Sequence, residues 1–277
     1  MLCGIASPVS LLRECAARGT YHLALSHLIL ESEEYRDFYR EESERGIIVG
    51  VDNGLVEQGE SLPLSSVLEA AKAVEAKEIV LPDVLGDADA SLGATLDGLV
   101  EYQSRDEALP YRLMAVPHGD TAADWLTSYV ELLQIQEISV IGISMFDSDL
   151  FPGGRVGLLD SLEDWGLIDP TKRYHMLGCW KDIREAYGLA FRSISHAHSY
   201  GWYPAPRKYV RSMDTGLPVR WGLQGLVCPK LTSPKRPPEA THRHDDFNAP
   251  VEMNDSVRMN VRMNVRLYQS CCAGLVS

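Results

Sequence analysis

Three aspartates end short apolar runs. Asp52 follows residues 47–51, Asp83 closes Glu-Ile-Val-Leu-Pro-Asp, and Asp214 follows residues 210–213. Two of them enter turn-forming sequence at once: Asn53-Gly54 after the first, and Thr215-Gly216 with Pro218 after the third. Carboxylates that face one substrate in pairs suit displacement at the anomeric carbon of a sugar. One attacks C1′ to form a covalent glycosyl-enzyme while the other protonates the leaving group. General acid–base help of this kind contributes roughly two to four powers of ten in rate. Spacing along the chain does not divide these roles among the three acids. Each aspartate alone suits a helix cap or a turn equally well; three at the ends of three strand candidates point to a shared site.

The elements that must position them alternate in type. Strand candidates fall at 23–30, 47–51, 78–81, 112–116, 138–144, 174–179, 210–213 and 223–227, and helical patterns at 33–45, 62–76, 91–105, 121–134 and 181–190. Pro63 suits the first turn of the second helix behind Ser61, and Asp120 is placed to cap the fourth. Alternating strands and helices imply parallel strands with right-handed crossovers. About eight such units predict a TIM-type (β/α)8 barrel, with a doubly wound open sheet as the alternative. The barrel is expected to occupy residues 1–230, and residues 231–277 to form a proline-rich loop and a helix packed on it. Catalytic residues of such a barrel lie at the carboxyl ends of several strands. Asp52, Asp83 and Asp214 would converge there with His118, Gly119, Gly142, Ser144, Leu177 and Gly178.

With 277 residues, 45% of them hydrophobic, the chain can bury one large core. No apolar run reaches the roughly 18–20 residues that cross a bilayer, so no membrane association is expected. The N-terminus lacks the charged-then-apolar pattern of a secretion signal. Six cysteines (Cys3, Cys15, Cys179, Cys228, Cys271 and Cys272) are scattered without a Cys-x-x-Cys pair, which fits reduced thiols in a cytoplasmic protein. His242 and His244 stand without cysteine partners, so no metal site is expected.

The ordered motifs add a resemblance. Asp52-Asn53-Gly54 is similar to the Asp-Ser-Gly that opens the Asp-Ser-Gly-Gly-Phe-Gln motif of the guanine transglycosylase superfamily, with departures at Leu55 and Val56. Asp214 to Pro218, Asp-Thr-Gly-Leu-Pro, resembles that family's Asp-Cys-Val-Leu-Pro. Asp83 stands where the family has a base-recognising aspartate. His118-Gly119 resembles its Gln-Gly, with His for the Gln that also reads the base. Gly142 resembles its glycine-rich backbone segment, and Arg173 to Gly178 its Arg-Tyr-Leu-Met-Gly with one residue more. The matches keep the family's order from about residue 45 to 220. The resemblance implies that Asp214 is the nucleophile, Asp52 the general acid/base and Asp83 a base reader. It implies exchange of guanine for a free 7-deazaguanine base such as preQ0, without a cofactor. The zinc-binding Cys-x-Cys-x-x-Cys…His of the tRNA-modifying members is missing, so the chain looks more like the phage branch that modifies DNA. A tRNA-guanine transglycosylase is the rival enzyme, and a non-catalytic barrel that binds a deazapurine or DNA is the rival of another class.

A polyanionic partner must be held against a net charge of −13. That charge is uneven: residues 1–202 carry 15 Lys+Arg against 33 Asp+Glu, net −18, while residues 203–277 carry 11 against 6, net +5. A local basic footprint is what a nucleic-acid binder needs. Arg207, Lys208, Arg211, Arg220, Lys230, Lys235, Arg236 and Arg243 are therefore the expected DNA contacts. Past them, Val-Arg-Met-Asn repeats every four residues, aligning Val257, Val261 and Val265 on one helical face and Arg258, Arg262 and Arg266 on another. That helix reads either as a docking helix with solvated arginines or as a phosphate-contacting stripe. Homodimerisation is left open.

Overall fold

Runs rich in Val, Ile and Leu, too short to be helices, pair side by side as parallel strands. They are β1 (Leu2–Ile5), β2 (Tyr21–Leu25), β3 (Ile48–Asp52), β4 (Glu78–Val80), β5 (Arg112–Ala115), β6 (Ile138–Ser144) and β7 (Arg173–Leu177), followed after a hairpin by β10 (Val210–Thr215). The hairpin is antiparallel, formed by β8 (Phe191–Ser195) and β9 (Trp202–Pro206). The computed structural model describes residues 1–105, 108–179, 183–195, 202–224, 251 and 253–273. Its eight parallel strands follow one another in the order β1-β10-β7-β6-β5-β4-β3-β2, and the helices alternate with them. The two end strands meet where Thr20 N donates to Cys3 O at 3.1 Å and Cys3 N donates to Thr20 Oγ1 at 3.0 Å. The protein is thus a nearly closed TIM-type (β/α)8 barrel.

The helices, in chain order, are α1 (Leu12–Cys15), α2 (Ser26–Glu31), α3 (Glu33–Glu44), α4 (Leu55–Gln58), α5 (Leu64–Ala73), α6 (Ala88–Gln103), α7 (Ala122–Leu133), α8 (Gly154–Asp164), α9 (Ile183–Ala190), α10 (Leu217–Leu223) and α11 (Asp255–Cys272). Side-chain caps start several of them. Ser32 accepts from Tyr35 N, Asp87 from Ala90 N and Thr121 from Asp124 N. The cap of α7 is thus Thr121 rather than Asp120. Pro63 precedes the first turn of α5 as expected, but Ser61 is turned away from that helix, towards Asp83.

Two strand expectations change. The run at 23–30 divides after Leu25, where α2 begins, and Leu223 ends a helix; residues 225–227 lie outside the described residues. The eighth strand is β1, at the opposite end of the chain.

Side chains fill the barrel from two sides. Val80, Met114, Val116 and Val140, with Leu23 and Leu177 against them, form the interior cluster, while the larger outer cluster lies between strands and helices. Each fully buried aliphatic or aromatic side chain of this kind stabilises by roughly 1.5–3 kcal/mol. The terminal helix belongs to the outer layer. Val261, Val265, Tyr268 and Cys271 are buried, and a methyl group at Gly222 of α10 would stand 2.5 Å from Val261 Cα. Only glycine lets the two helices approach so closely. The helix is docked on the barrel, and Arg258 and Arg262 pair with Glu14 at 3.2 and 2.7 Å instead of standing free in water. Among the described residues no helix is long and apolar enough to cross a membrane.

Candidate active site

The carboxyl ends of the strands bring the three aspartates to one rim. Asp52 is the last residue of β3 and Asp214 lies one from the end of β10, while Asp83 follows β4. The charges of Asp83 and Asp214 both act on Asp52, so the three share one electrostatic site. Burial most of all, then the charges of Glu57, Asp83 and Asp214, push the Asp52 pKa well above the ordinary carboxylate range. Asp52 is therefore the rim carboxylate biased towards its protonated form. Its Oδ2 accepts only a long bond, 3.4 Å, from Gly54 N. Gly54 has φ +80°, a left-handed conformation that glycine adopts without strain and that turns the chain sharply after the strand.

Asp214 is held differently. Its Oδ1 accepts from Gly178 N at 2.9 Å and lies 3.1 Å from His175 Nε2. Among the described residues Oδ2 has no hydrogen-bond partner, and the side chain keeps 17% of its surface exposed. Gly178 reaches this position with φ +60°, again in the left-handed region. One carboxylate oxygen is thus presented to the rim while its twin is fixed.

The support for Asp214 runs down through the barrel. Arg211 Nε donates to Ser212 Oγ at 3.3 Å, Ser212 Oγ lies 2.8 Å from His175 Nδ1, and His175 Nε2 meets Asp214. With Ser212 donating to Nδ1, the imidazole carries its proton on Nε2 and donates to the carboxylate. Below, Arg211 is paired with the fully buried Glu78, lies 5.3 Å over the Tyr21 ring, and Tyr21 in turn packs against His175. The register shift between Val210 and Ser212 lets both Arg211 and Ser212 reach the interior. If Asp214 acts as a nucleophile on a nucleoside, replacing His175 by Ala should lower kcat by about one to two powers of ten, the value of one hydrogen bond to a charged group, with KM for the base unchanged. Gln, whose amide reaches the position of Nε2, should restore part of the rate. Equal kcat in wild type and the Ala variant would remove this column from the chemistry.

A second network holds Asp83. Asn53 Nδ2 donates to Asp83 Oδ1 at 2.7 Å and to Leu81 O at 2.8 Å. Ser61 Oγ stands 2.7 Å from the Asp83 carbonyl and 3.1 Å from Oδ1, and accepts from Asp83 N. His118 Nε2 lies 2.9 Å from Oδ2. Both oxygens of Asp83 are therefore engaged by protein donors, unlike the open carboxylate expected of a base reader. Burial pulls the His118 pKa down, but the carboxylates of Asp147 and Asp83 on either side of the ring outweigh it and lift it to about 9. His118 is an imidazolium between two carboxylates.

The remaining expected base contacts divide. Leu177 is part of the interior cluster and half-buried at the rim. Ser144 is buried and accepts from Phe146 N, bracing the turn that carries Asp147. A methyl group at Gly142 would stand 2.9 Å from both Leu177 Cδ1 and Val116 Cγ2, and one at Gly119 would stand 2.4 Å from Trp125 N. These two glycines make room for interior packing and for α7.

The basic residues are spread over the fold. Arg207 precedes β10, so it lies at the opposite end from the rim; it is buried and paired with Asp160 and Glu163 of α8. Lys208 is exposed at that same far end. Arg211 is the interior residue just described. Arg220 is almost buried in α10, which starts at the rim. Lys230, Lys235, Arg236 and Arg243 lie outside the described residues, as do His242, His244 and most of the proline-rich loop.

Three supporting residues had escaped the sequence pattern. His175 and Asp147 were two. The third is Arg155 of α8, fully buried, which donates to Ile143 O, Leu177 O and Gly178 O and pairs with Glu185. It fastens the carboxyl ends of β6 and β7 at the level of the Gly178 amide. The available signal for His175 and Ser212 was a polar residue at an inward strand position; a buried polar group there needs a partner. Comparison with family models and with curated proteins finds no match for this chain.

Proposed function

We propose that the protein is a transglycosylase that exchanges guanine in DNA for a free 7-deazaguanine base through a covalent Asp214–deoxyribose intermediate. One observation carries the reading: two carboxylates on one barrel rim have opposed environments, Asp52 biased towards its protonated form by burial and like charge, Asp214 fixed by donors with one oxygen open. Pairs of titratable groups in such opposed settings divide acid and nucleophile roles. Asp214 Oδ2 attacks C1′, the bond from C1′ to the guanine nitrogen breaks, and Asp52 delivers a proton to the departing base. The incoming base gives its proton to Asp52, and its nitrogen displaces Asp214 from C1′. Two displacements retain the β configuration. The target nucleotide must leave the base stack, because the glycosidic carbon is unreachable within it. The order and type of the motifs that resemble the guanine transglycosylases supply the identity of the base, and the missing zinc ligands favour DNA over tRNA.

The test is exchange of labelled guanine from DNA and from tRNA in the presence of preQ0, with denaturing gels to trap the covalent adduct. Label release and an adduct with DNA support the proposal. Reaction with tRNA alone would overturn the polymer assignment. Binding of base or DNA with neither release nor adduct would make the barrel a non-catalytic binder.

A further inference from the structure

The carboxylate left open for a ligand in this site is not Asp83. In the turn after β6, Asp147 is 3% exposed, and its Oδ2 is buried without a hydrogen-bond partner among the described residues. Its Oδ1 stands 3.5 Å from His118 Nδ1, an ion-pair contact at the long limit of a hydrogen bond. Next to it, the Ser148 hydroxyl is buried and unpartnered as well. Asp147 Oδ2 and Ser148 Oγ are thus two orphaned polar atoms on adjacent residues, and Asp147 lies against His118 of the Asp83 network beside the acid rim. Buried polar groups in folded proteins are nearly always paired, and each exception calls for an absent partner. Asp83, by contrast, has Asn53 and Ser61 on one oxygen and His118 on the other.

We infer that Asp147 is the base-reading carboxylate of this site and that Asp83 and His118 are positioning residues behind it. The inference rests on the exchange reading above. The ligand it fits is a purine or 7-deazapurine with a ring N–H beside an exocyclic amino group. Such an edge offers two parallel donors to a carboxylate. The Ser148 hydroxyl can donate to the neighbouring ring carbonyl. His118, fixed by Asp83 through Nε2, presents Nδ1–H to Asp147 Oδ1 and sets the carboxylate's angle. A site built to hydrogen-bond such donors rejects an analogue that lacks one, because its own buried groups are then left unpaired.

The experiment measures binding of free guanine, hypoxanthine (which lacks the amino group) and preQ0 by calorimetry to the full chain, beside covalent adduct formation on DNA. Wild type should prefer guanine over hypoxanthine by tenfold or more. Asp147→Asn, nearly the same in volume, should weaken guanine at least tenfold and erase the preference, whereas Asp83→Asn should weaken both bases alike. If the amide variant fails to fold, Asp147→Ser serves. Preserved affinity and preference in the folded Asp147 variant would overturn the inference. So would loss of the preference in Asp83→Asn alone. Those results, in a wild type that still exchanges guanine, leave the proposed function standing. A wild type that binds no base and forms no adduct would sink the inference together with that function.

Discussion

Asp214→Asn abolishes adduct formation and base exchange, with an expected loss on the order of 10⁴ or more. The amide is too poor a nucleophile at C1′ to replace the open Oδ2. The fold should survive the change. The amide oxygen can occupy the place of Oδ1 and still accept from Gly178 N and His175 Nε2, the two contacts that fix the residue. Binding of the free base should stay near the wild-type value, since the attacking oxygen is needed for bond formation alone. Single-turnover release of labelled guanine measures the chemistry, and thermal melting checks the fold. Release at a tenth of the wild-type rate from a folded variant would show that another group attacks C1′.

Much of the barrel could be read from residues before any coordinates. The runs that became β3, β4 and β6 are dense in β-branched residues, and those that became β5 and β10 are short apolar runs bounded by turns. β1 was not legible because Leu-Cys-Gly-Ile is four residues long and half of it is weakly apolar. β2 was blurred because no breaker separates Leu25 from α2, and the apolar run continues across a change of structure. α8 hid behind Gly153, Gly154 and Gly157, which read as a loop. A methyl group at Gly157 would stand 2.0 Å from Pro152 O, so the glycine is demanded by close approach rather than by flexibility. At the site, acids that end strands were visible, since a charged residue after an apolar run breaks the pattern. The partners were not. His175 to Asp214 and Asp83 to His118 are contacts across 39 and 35 residues, set by strand order rather than by local pattern. The places of Arg207 and Arg211 were hidden for a related reason. Charge along the chain does not tell which end of a barrel a residue occupies, and Arg207 and Arg211 have internal carboxylates as partners.

Asp52→Asn should separate chemistry from stability, moving them in opposite directions. The amide has no proton to transfer, so guanine release should slow by roughly two to four powers of ten. Base and DNA binding should persist, since Asp52 makes only the long contact to Gly54 N. Stability responds to the raised pKa. An unfolded aspartate titrates near 3.9, whereas the folded one holds its proton to much higher pH because burial and the charges of Glu57, Asp83 and Asp214 oppose ionisation. Its favourable contribution is therefore complete below about pH 4 and is lost progressively as pH rises to the folded pKa. A permanently neutral side chain escapes that loss. The variant should match wild type near pH 4 and exceed it increasingly towards neutral and alkaline pH, which denaturant unfolding at several pH values would show. The wild-type rate should also fall as pH rises through the folded pKa of Asp52, as the acid is consumed. A variant that is less stable than wild type at pH 7, or that exchanges guanine at the wild-type rate, would remove Asp52 as the protonated acid of the site.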